Sequence, residues 1–417
     1  MDQTRPTPRF HEVVYDWNLV DAFHDLGTRE VALLDETLRD GLQSASVTMP
    51  TAQQKLEFVR IAAALGIDAV NIGLPGSSDA AREDCLFLAR NAAREGLKVR
   101  LCAAARTLQD DIAPIAAISQ AAGVPIEVMS FIGSSPIRLM AEDWDMQFLL
   151  DRSREAISFA RREGLAVTFV TEDTTRSRPE VLYRLFTNAV EAGAQRLCIC
   201  DTVGHATPDG IRALLRFVKD LLKGMGVEVG LDWHGHNDRG MALANSLWAI
   251  QFGADRIHGC ALGIGERTGN TAMDQLIMNL RLIGSIPRER DLSRLLDYCR
   301  HTSEIVGFPI PPNYPLAGRD AFRTQTGVHA AAIRKALAKG DAWLADRVYS
   351  GVPAGMFGRR QEVCVGPMSG VSNVLCVLER LGREADASTT QRILDHAKRM
   401  DRILTDEEII ALLDASE

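Results

Sequence analysis

Eight short apolar runs recur along the first two thirds of this 417-residue chain, and their rhythm limits the possible folds more than any other feature. Their starts lie roughly 32 residues apart, which is the length of one strand, one helix and two loops. Continuous apolar runs are typical of parallel strands that are buried on both faces. The runs cover residues 31–34, 69–73, 99–105, 125–132, 166–170, 196–200, 227–231 and 256–262.

Segments with helical periodicity separate these runs. In residues 52–65 apolar side chains recur at helical spacing, and Gly66 supplies a stop signal. Eight units of strand and helix predict a (β/α)8 barrel, an α/β fold in which parallel strands close into a cylinder. Further helices are predicted at 152–163, 179–192, 208–224 and 242–252.

Polar residues cluster directly after five of the apolar runs. In a barrel these positions are the carboxyl ends of strands, the face on which barrel enzymes build their active sites. The sequence therefore predicts an active site at this mouth of the barrel. The clusters lie at 35–41, 171–173, 201–202, 234–236 and 265–267.

Two histidines one residue apart, His234 and His236, indicate the chemistry of that site. Side chains two apart on a strand share a face, so both imidazoles can bind one ion, although a solvated polar loop is the alternative. Asp40 can add a carboxylate at the same mouth. One Asp and two His leave positions open, which is typical of a catalytic site that can bind a 2-oxo acid, with Mn²⁺, Mg²⁺ or Zn²⁺ as the ion.

Composition excludes several classes of partner. The chain is 46% hydrophobic and 24% charged, with a formal net charge of -8. Such an acidic chain without a stripe of Lys and Arg is not expected to bind nucleic acid or an anionic membrane, and small molecules are the expected ligands.

The start of the chain does not have the pattern of a secretory signal. Its eight cysteines lie mainly among apolar residues, so we expect reduced thiols and a cytoplasmic location.

The rhythm ends after about residue 282, and a proline cluster at 309–315 follows. We expect four regions: an N-terminal extension at 1–30, the catalytic barrel at 31–285, a helical linker at 286–318 and a small, mainly helical region at 319–417. Helices are predicted at 291–306, 320–338, 374–381 and 406–413.

Six ordered motifs lie at the predicted strand ends and after the linker. They are DETLRDG at 35–41, EDTTR at 172–176, DTVG at 201–204, HGHND at 234–238, GIGERTGN at 263–270 and TGVH at 326–329. With these motifs the chain resembles the acetyl-CoA-dependent 2-alkylmalate synthases, metal-dependent barrels that include isopropylmalate, homocitrate, citramalate and Re-citrate synthases. The resemblance implies a Claisen-type condensation of acetyl-CoA with a 2-oxo acid, giving a 2-substituted malate and CoA.

The resemblance implies a role for each motif residue. Asp40, His234 and His236 would hold the ion, with Asn270 at or near a fourth position. Arg39 would stabilise the alkoxide that forms on the ketone.

Substrate binding and proton transfer involve a second set of residues. Thr202 would bind the carboxylate of the 2-oxo acid, and Glu172 would help to deprotonate acetyl-CoA. His329, supported by Tyr349, is a second candidate for the proton transfer.

Because His329 follows the linker, the resemblance implies a homodimer in which this region completes the site of the partner. With the chain ending at Glu417, we expect no leucine-type regulatory domain like that of feedback-inhibited isopropylmalate synthases.

Four positions depart from the isopropylmalate pattern and are expected to line the substrate pocket. Asn71 stands where Glu is usual, Met129 where His is frequent, Val170 where Ser is common and Arg138 where His is usual. An arginine can bind a second acidic group, which favours a 2-oxo diacid or a phosphonate analogue. The alternative is that Arg138 faces solvent or pairs with Glu142 or Asp143.

Other interpretations stay open at this point. Hydroxymethylglutaryl-CoA lyase shares the barrel and uses a cysteine near the position of Cys260; a scaffold without catalysis and a biotin-linked carboxyltransferase fit less well. Arg39 and Glu172 could form a simple ion pair, and Thr202 could cap a helix. Cys198 and Cys200 are interpreted as strand packing.

Overall fold

The computed structural model describes residues 10–20, 30–286 and 291–415. It consists of two compact units, a barrel unit (Asn18–Pro309) and a terminal unit (Met1–Trp17 with Ile310–Glu417). The division falls inside the proline cluster, while the finer boundaries of extension, linker and C-terminal region stay predictions. Parts of the predicted extension and linker, at 1–9, 21–29 and 287–290, lie outside the described residues.

The barrel unit contains eight parallel strands that close into a cylinder, as predicted. Each strand pairs with its neighbour in the chain, and β1 pairs with β8 so that Ala32 stands opposite Arg256 and Asp35 opposite Gly259. The strands are β1 (Ala32–Asp35), β2 (Ala69–Asn71), β3 (Arg100–Arg106), β4 (Ile126–Gly133), β5 (Val167–Glu172), β6 (Arg196–Asp201), β7 (Gly230–Gly235) and β8 (Arg256–Gly259).

Helices connect successive strands, and five of the ten described in this unit begin at a polar side chain that caps the helix. The first begins after Thr51, whose hydroxyl accepts from the Gln54 backbone while the Gln54 side chain accepts from the Thr51 backbone. The helices of this unit are α1 (Ala52–Ala64), α2 (Asp79–Glu95), α3 (Gln109–Ala122), α4 (Pro136–Glu142), α5 (Met146–Arg162), α6 (Pro179–Glu191), α7 (Pro208–Met225), α8 (Ala242–Phe252), α9 (Met273–Ile283) and α10 (Leu295–Val306).

Side chains fill the interior of the barrel. One apolar cluster inside it joins Leu34, Ala69, Cys102 and Met129, with Val170 packed against them. Buried charged groups lie near the amino ends of the strands, so the interior is a packed core and not a channel.

The terminal unit is mainly helical. Its small parallel sheet joins Arg323–Thr324 (β9) to Glu362–Val363 (β10). A core of Val365, Val374, Ile393 and their neighbours holds the last helices together. The helices after the prolines are α11 (Gly327–Ala338), α12 (Ala342–Ala345), α13 (Val371–Leu381), α14 (Ala387–Arg399) and α15 (Asp406–Asp414). Within the described ranges, no helix combines the length and apolar character needed to span a membrane.

Several predicted boundaries were wrong. The seventh strand begins at Gly230 rather than at residue 227 and continues to Gly235, so His234 lies inside it. The eighth strand ends at Gly259, because the apolar residues after it form a turn in which Leu262 has a φ of 57°.

Three helix starts were also wrong. The helix predicted at 320–338 begins only at Gly327, and the one predicted at 291–306 begins at Leu295. The helix predicted at 152–163 begins earlier, at Met146, where Asp145 caps it by accepting from the Phe148 backbone.

Candidate metal centre and active site

Asp40, His234 and His236 meet at the carboxyl ends of β1 and β7. The Asp40 Oδ2 atom lies 3.1 Å from His234 Nε2 and 3.5 Å from His236 Nε2, and the two Nε2 atoms are 3.2 Å apart. All three side chains are buried. Both imidazoles point to the same side, as expected, with His234 inside the seventh strand and His236 directly after its last residue. Because both are buried, the alternative of a solvated polar loop is wrong.

Charge favours an ionised carboxylate at Asp40, and burial favours a neutral imidazole at His236. Burial opposes ionisation of Asp40, but the Arg39 guanidinium and the imidazoles outweigh it and hold its pKa far below the usual range. Burial, together with His234, lowers the pKa of His236 to about 4 although Asp40 acts in the opposite direction. These are the protonation states in which Asp40 and His236 bind a cation.

Asn270 is carried to the cluster by the loop that follows β8. Its backbone forms an antiparallel bridge with His236, and its Nδ2 donates to the Ile264 carbonyl at 3.1 Å. Among the described residues, its buried Oδ1 has no hydrogen-bond partner. Gly269, with a φ of 84°, permits this approach, since a Cβ atom there would lie 1.8 Å from the Gly263 carbonyl oxygen.

One carboxylate and two imidazoles form a donor set that suits a divalent ion, and Asn270 stays the predicted fourth donor. The buried and otherwise unpartnered Asn270 oxygen supports this interpretation, because a buried polar atom without a partner is costly. The cluster therefore fits a divalent metal site, and its donors do not choose between Mn²⁺, Mg²⁺ and Zn²⁺.

Arg39 lies beside the cluster and is held by Glu36. Its Nε donates to Glu36 Oε2 at 2.8 Å, and its Nη1 lies 3.7 Å from Asp40 Oδ1. Burial opposes ionisation of Glu36, but Arg39 and His258 outweigh it and lower the pKa of Glu36 to about 2. The alternative of an ion pair between Arg39 and Glu172 was wrong, since Arg39 takes Glu36 and Asp40 as partners.

Sequence reasoning missed a chain of buried polar groups beneath Glu36. His258 places Nδ1 3.4 Å from Glu36 Oε1 and Nε2 3.0 Å from Asp232 Oδ2. Asp232 in turn accepts from Arg256, which binds both oxygens of Glu127. The alternation of Arg256 and His258 within an otherwise apolar run was the signal that could have revealed this network.

Glu172, Arg138 and Thr202 surround the mouth at β4, β5 and β6. Arg138 forms an ion pair with Glu142 at 2.6 Å, as the alternative interpretation expected, and its Nε also lies 3.6 Å from Glu172 Oε2. Burial raises the pKa of Glu172, while Arg138 and Arg39 limit the rise.

The Thr202 hydroxyl accepts from the Asp173 backbone at 2.8 Å. It therefore links the loop after β6 to the loop after β5. The helix-cap interpretation of Thr202 was wrong, because Thr207 caps α7.

The predicted pocket residues Asn71, Met129 and Val170 lie on strands inside the barrel. Asn71 is fully buried, donates to Glu36 Oε2 at 3.0 Å and contacts the Met129 sulfur at 3.6 Å. Met129 and Val170 belong to the apolar cluster of the interior. Their role toward a substrate stays a prediction.

His329 and Tyr349 pair within the terminal unit. Their rings are stacked with centroids 3.8 Å apart, and Tyr349 is 49% exposed. The structure thus brings these two predicted residues together, while their catalytic role stays a prediction.

None of the eight cysteines forms a disulfide. Cys198 and Cys200 lie on β6 with sulfurs 3.7 Å apart and are buried, which agrees with strand packing. Cys260 is fully buried, and burial raises the pKa of its thiol well above the usual value. A buried, protonated thiol does not match the reactive cysteine that the lyase interpretation requires.

The fold and the site define a (β/α)8 barrel with a candidate metal centre at its mouth, and comparison with known proteins identifies its family. The HMGL-like family model matches residues 30–301. Solved structures with the same fold include a hydroxymethylglutaryl-CoA lyase from Bacillus subtilis, with a TM-score of 0.57 and 21% identity over 68% of this chain and 96% of that one. At this identity the likeness shows the fold alone.

Relatives from archaea match over most of their length. A homocitrate synthase from Methanopyrus kandleri is 31% identical over 94% of this chain and 91% of its own. A probable 2-isopropylmalate synthase from Ignicoccus hospitalis is 33% identical over 89% of this chain and 88% of its own. A putative (R)-citramalate synthase from Methanopyrus kandleri is 32% identical, with coverages of 89% and 69%. This chain thus belongs to the HMGL-like family and, within it, to the 2-alkylmalate synthases.

Proposed function

We propose that this protein condenses acetyl-CoA with a 2-oxo acid and releases a 2-substituted malate and CoA. The observation that carries the proposal is the buried cluster of Asp40, His234 and His236 beside the Arg39 guanidinium. The reaction removes a proton from the acetyl methyl group, forms a carbon–carbon bond to the ketone carbon and then consumes water to cleave the thioester. The names of the relatives support the same class of acyltransferase.

The divalent ion would be held by Asp40, His234, His236 and Asn270. When bound, such an ion acts as a Lewis acid that polarises the ketone of the 2-oxo acid. Mn²⁺, Mg²⁺ and Zn²⁺ are the candidates.

Arg39 and Thr202 would act at opposite ends of the 2-oxo acid, Arg39 on the charge that develops at the ketone oxygen and Thr202 on the carboxylate. Arg39 is fixed by Glu36, so its guanidinium can stabilise negative charge on the ketone oxygen without reorganising. The Thr202 oxygen accepts from the Asp173 backbone, which leaves its O–H to donate to the substrate carboxylate.

The proton of the acetyl methyl group would pass to Glu172 or to His329. Burial raises the pKa of Glu172, which makes this carboxylate a stronger base than an exposed one. His329 stacks on Tyr349, which would hold the imidazole in one orientation.

The substrate is proposed to be a 2-oxo diacid, such as oxaloacetate or 2-oxoglutarate, or a phosphonate analogue. Arg138 lies 3.6 Å from Glu172, and its side chain is 42% exposed, so it can reach a second acidic group at the mouth. Asn71, Met129 and Val170 would form the floor beneath the substrate.

We further propose a cytoplasmic homodimer in which His329 and Tyr349 act in the active site of the partner subunit. The exposed face of Tyr349 leaves this ring pair open to such a contact. Lyase-type cleavage of hydroxymethylglutaryl-CoA is the less favoured function, because it requires a reactive cysteine and Cys260 is fully buried in the barrel.

The test is release of free thiol from acetyl-CoA with pyruvate, 2-oxoisovalerate, oxaloacetate and 2-oxoglutarate, before and after treatment with a chelator. We expect release with a diacid, its loss on chelation and its recovery with one of the three ions. No thiol release with any 2-oxo acid would contradict the proposed reaction.

Arg138→Ala tests the substrate class against a matched control, Glu142→Ala. Both variants remove the same ion pair, but only the first removes the guanidinium. We expect the preference for diacids to disappear in Arg138→Ala and to persist in Glu142→Ala. A preference of the wild-type protein for 2-oxoisovalerate would refute this substrate class.

A further inference from the structure

Three loops at the barrel mouth each carry one residue of the proposed site. The loop after β6 carries Thr202, the loop after β7 carries His236 and the loop after β8 carries Asn270. Loops are the most mobile parts of a barrel, whereas a metal site needs its ligands held in place. Something must therefore fix these loops relative to each other.

Arg267, in the loop after β8, contacts both of the other loops. Its Nε donates to Asp238 Oδ1 at 2.7 Å, and its Nη2 donates to Asp238 Oδ2 at 3.1 Å. The same Nη2 also donates to the carbonyl oxygen of Thr202 at 2.6 Å. One planar guanidinium thus joins the loop after β8 to a residue two places after His236 and to the backbone of Thr202.

The backbone around Arg267 is shaped for this contact. Arg267 has a φ of 55°, in the left-handed region that side chains other than glycine rarely adopt. The Gly269 amide donates to the Glu266 carbonyl at 2.9 Å and closes a turn around Arg267. The Asn237 amide then donates to the Gly269 carbonyl at 2.9 Å, which aligns the loops that carry His236 and Asn270.

The ion pair itself adds little to folding. The Arg267 and Asp238 side chains are 39% and 25% exposed, and ion pairs with such access to water contribute weakly to stability. A strained backbone that supports a weak stabilising contact is more consistent with a role in positioning the site.

We propose that Arg267 is a positioning residue that locks the three loops together and thereby fixes His236, Asn270 and Thr202 relative to one another. This inference rests on the proposed metal site. A lysine cannot replace the arginine, because a single ammonium does not reproduce the planar fork that reaches Asp238 and the Thr202 carbonyl together.

The test compares Arg267→Lys and Arg267→Gly with Arg402→Lys. Arg267→Gly keeps the left-handed backbone conformation at this position but removes the guanidinium. Arg402 is the matched control, because it forms the same type of fork with Glu408 and also donates to the Ile403 carbonyl, within the terminal unit. Three kinds of measurement are made: the affinity for Mn²⁺, Mg²⁺ and Zn²⁺ without substrate, the steady-state kinetics (kcat and KM for the 2-oxo acid), and the melting temperature.

We expect both Arg267 variants to bind the ion about ten-fold more weakly, the lower end of the loss that follows when groups that orient metal ligands are removed. KM for the 2-oxo acid should rise, the melting temperature should stay near that of the control, and added guanidinium should partly restore ion affinity in Arg267→Gly. Wild-type ion affinity and KM in Arg267→Gly would overturn the inference while leaving the proposed function intact. Failure of the wild-type protein to bind any of the three ions would overturn the metal site and this inference with it.

Discussion

Arg39 is the residue on which charge stabilisation at the site depends. Its Nε and Nη2 atoms lie 2.8 and 2.7 Å from one Glu36 oxygen, Oε2, and its Nη1 lies 3.7 Å from Asp40 Oδ1. The same Glu36 side chain faces His258 at 3.4 Å. The position of Arg39 is therefore set from below by a charged network inside the barrel.

At this scale we predict that Arg39→Lys lowers kcat by about 10²–10³, because an ammonium cannot keep the Glu36 contacts and still reach the developing charge. KM for the 2-oxo acid and Mn²⁺ affinity should change much less, since Asp40, His234 and His236 are intact. Steady-state kinetics and metal titration check this. A lysine variant with near wild-type kcat would contradict it.

At the scale of elements, α10 is tied to β1 by one buried contact. The Tyr298 hydroxyl donates to Asp35 Oδ2, and both side chains are fully buried. Burial raises the pKa of Asp35 to about 7, although the hydrogen bonds from Tyr298 and Thr37 oppose the rise.

This contact predicts a pH dependence of stability. Between the unfolded value of 3.8 and about 7, the folded state keeps a proton on Asp35 that the unfolded chain releases. The free energy of unfolding should therefore fall as pH rises through this window, by about 1.4 kcal/mol per pH unit, and Asp35→Asn should remove this dependence. Urea unfolding of both proteins from pH 5 to 8 measures it.

Tyr298→Phe is the matched variant for this prediction. Without the hydroxyl that lowers the pKa of Asp35, the upper end of the window should move to higher pH. If the free energy of unfolding changed with pH in the same way in the wild-type protein and in Asp35→Asn, the raised pKa would be wrongly assigned to Asp35.

The loop after β8 leads to a second prediction at this scale. Gly269→Ala should abolish metal binding and activity, because the new Cβ would meet the Gly263 carbonyl and displace Asn270. Gly96→Ala is the control: it has a φ of 62° but no atom within 4 Å of the added Cβ, so it should lose only roughly 1–2 kcal/mol of stability. Metal titration and thermal unfolding separate the two effects, and equal behaviour of the variants would contradict the prediction.

At the scale of the whole molecule, the proposed shared site predicts complementation between two inactive variants. Asp40→Ala destroys the metal site, and His329→Ala destroys the proposed contribution of the terminal unit. Mixed and reassociated, they should recover about a quarter of wild-type activity, because half of the dimers are hybrids with one intact site each. Activity that stays at the level of the separate variants would rule out a site shared between subunits.

Much of the barrel was predictable from the sequence, and the errors in the predicted strand and helix boundaries have physical causes. Hydrophobicity placed the seventh strand too early because Asp232 and His234 are polar residues inside the barrel, and it extended the eighth too far because Leu262 is buried in a turn. The helix that begins at Gly327 was started too early, since polar residues before it do not distinguish a helix from an extended segment.

The sequence by itself determined the barrel, the face on which its site lies and the three residues Asp40, His234 and His236, because strand periodicity and the placement of motifs after apolar runs are local properties. Only the tertiary structure decided what supports them. Arg256 and Glu127 are 129 residues apart, and Arg267 and Thr202 are 65 apart. Contacts over such distances depend on strand register and closure of the barrel, which no local pattern in the chain encodes.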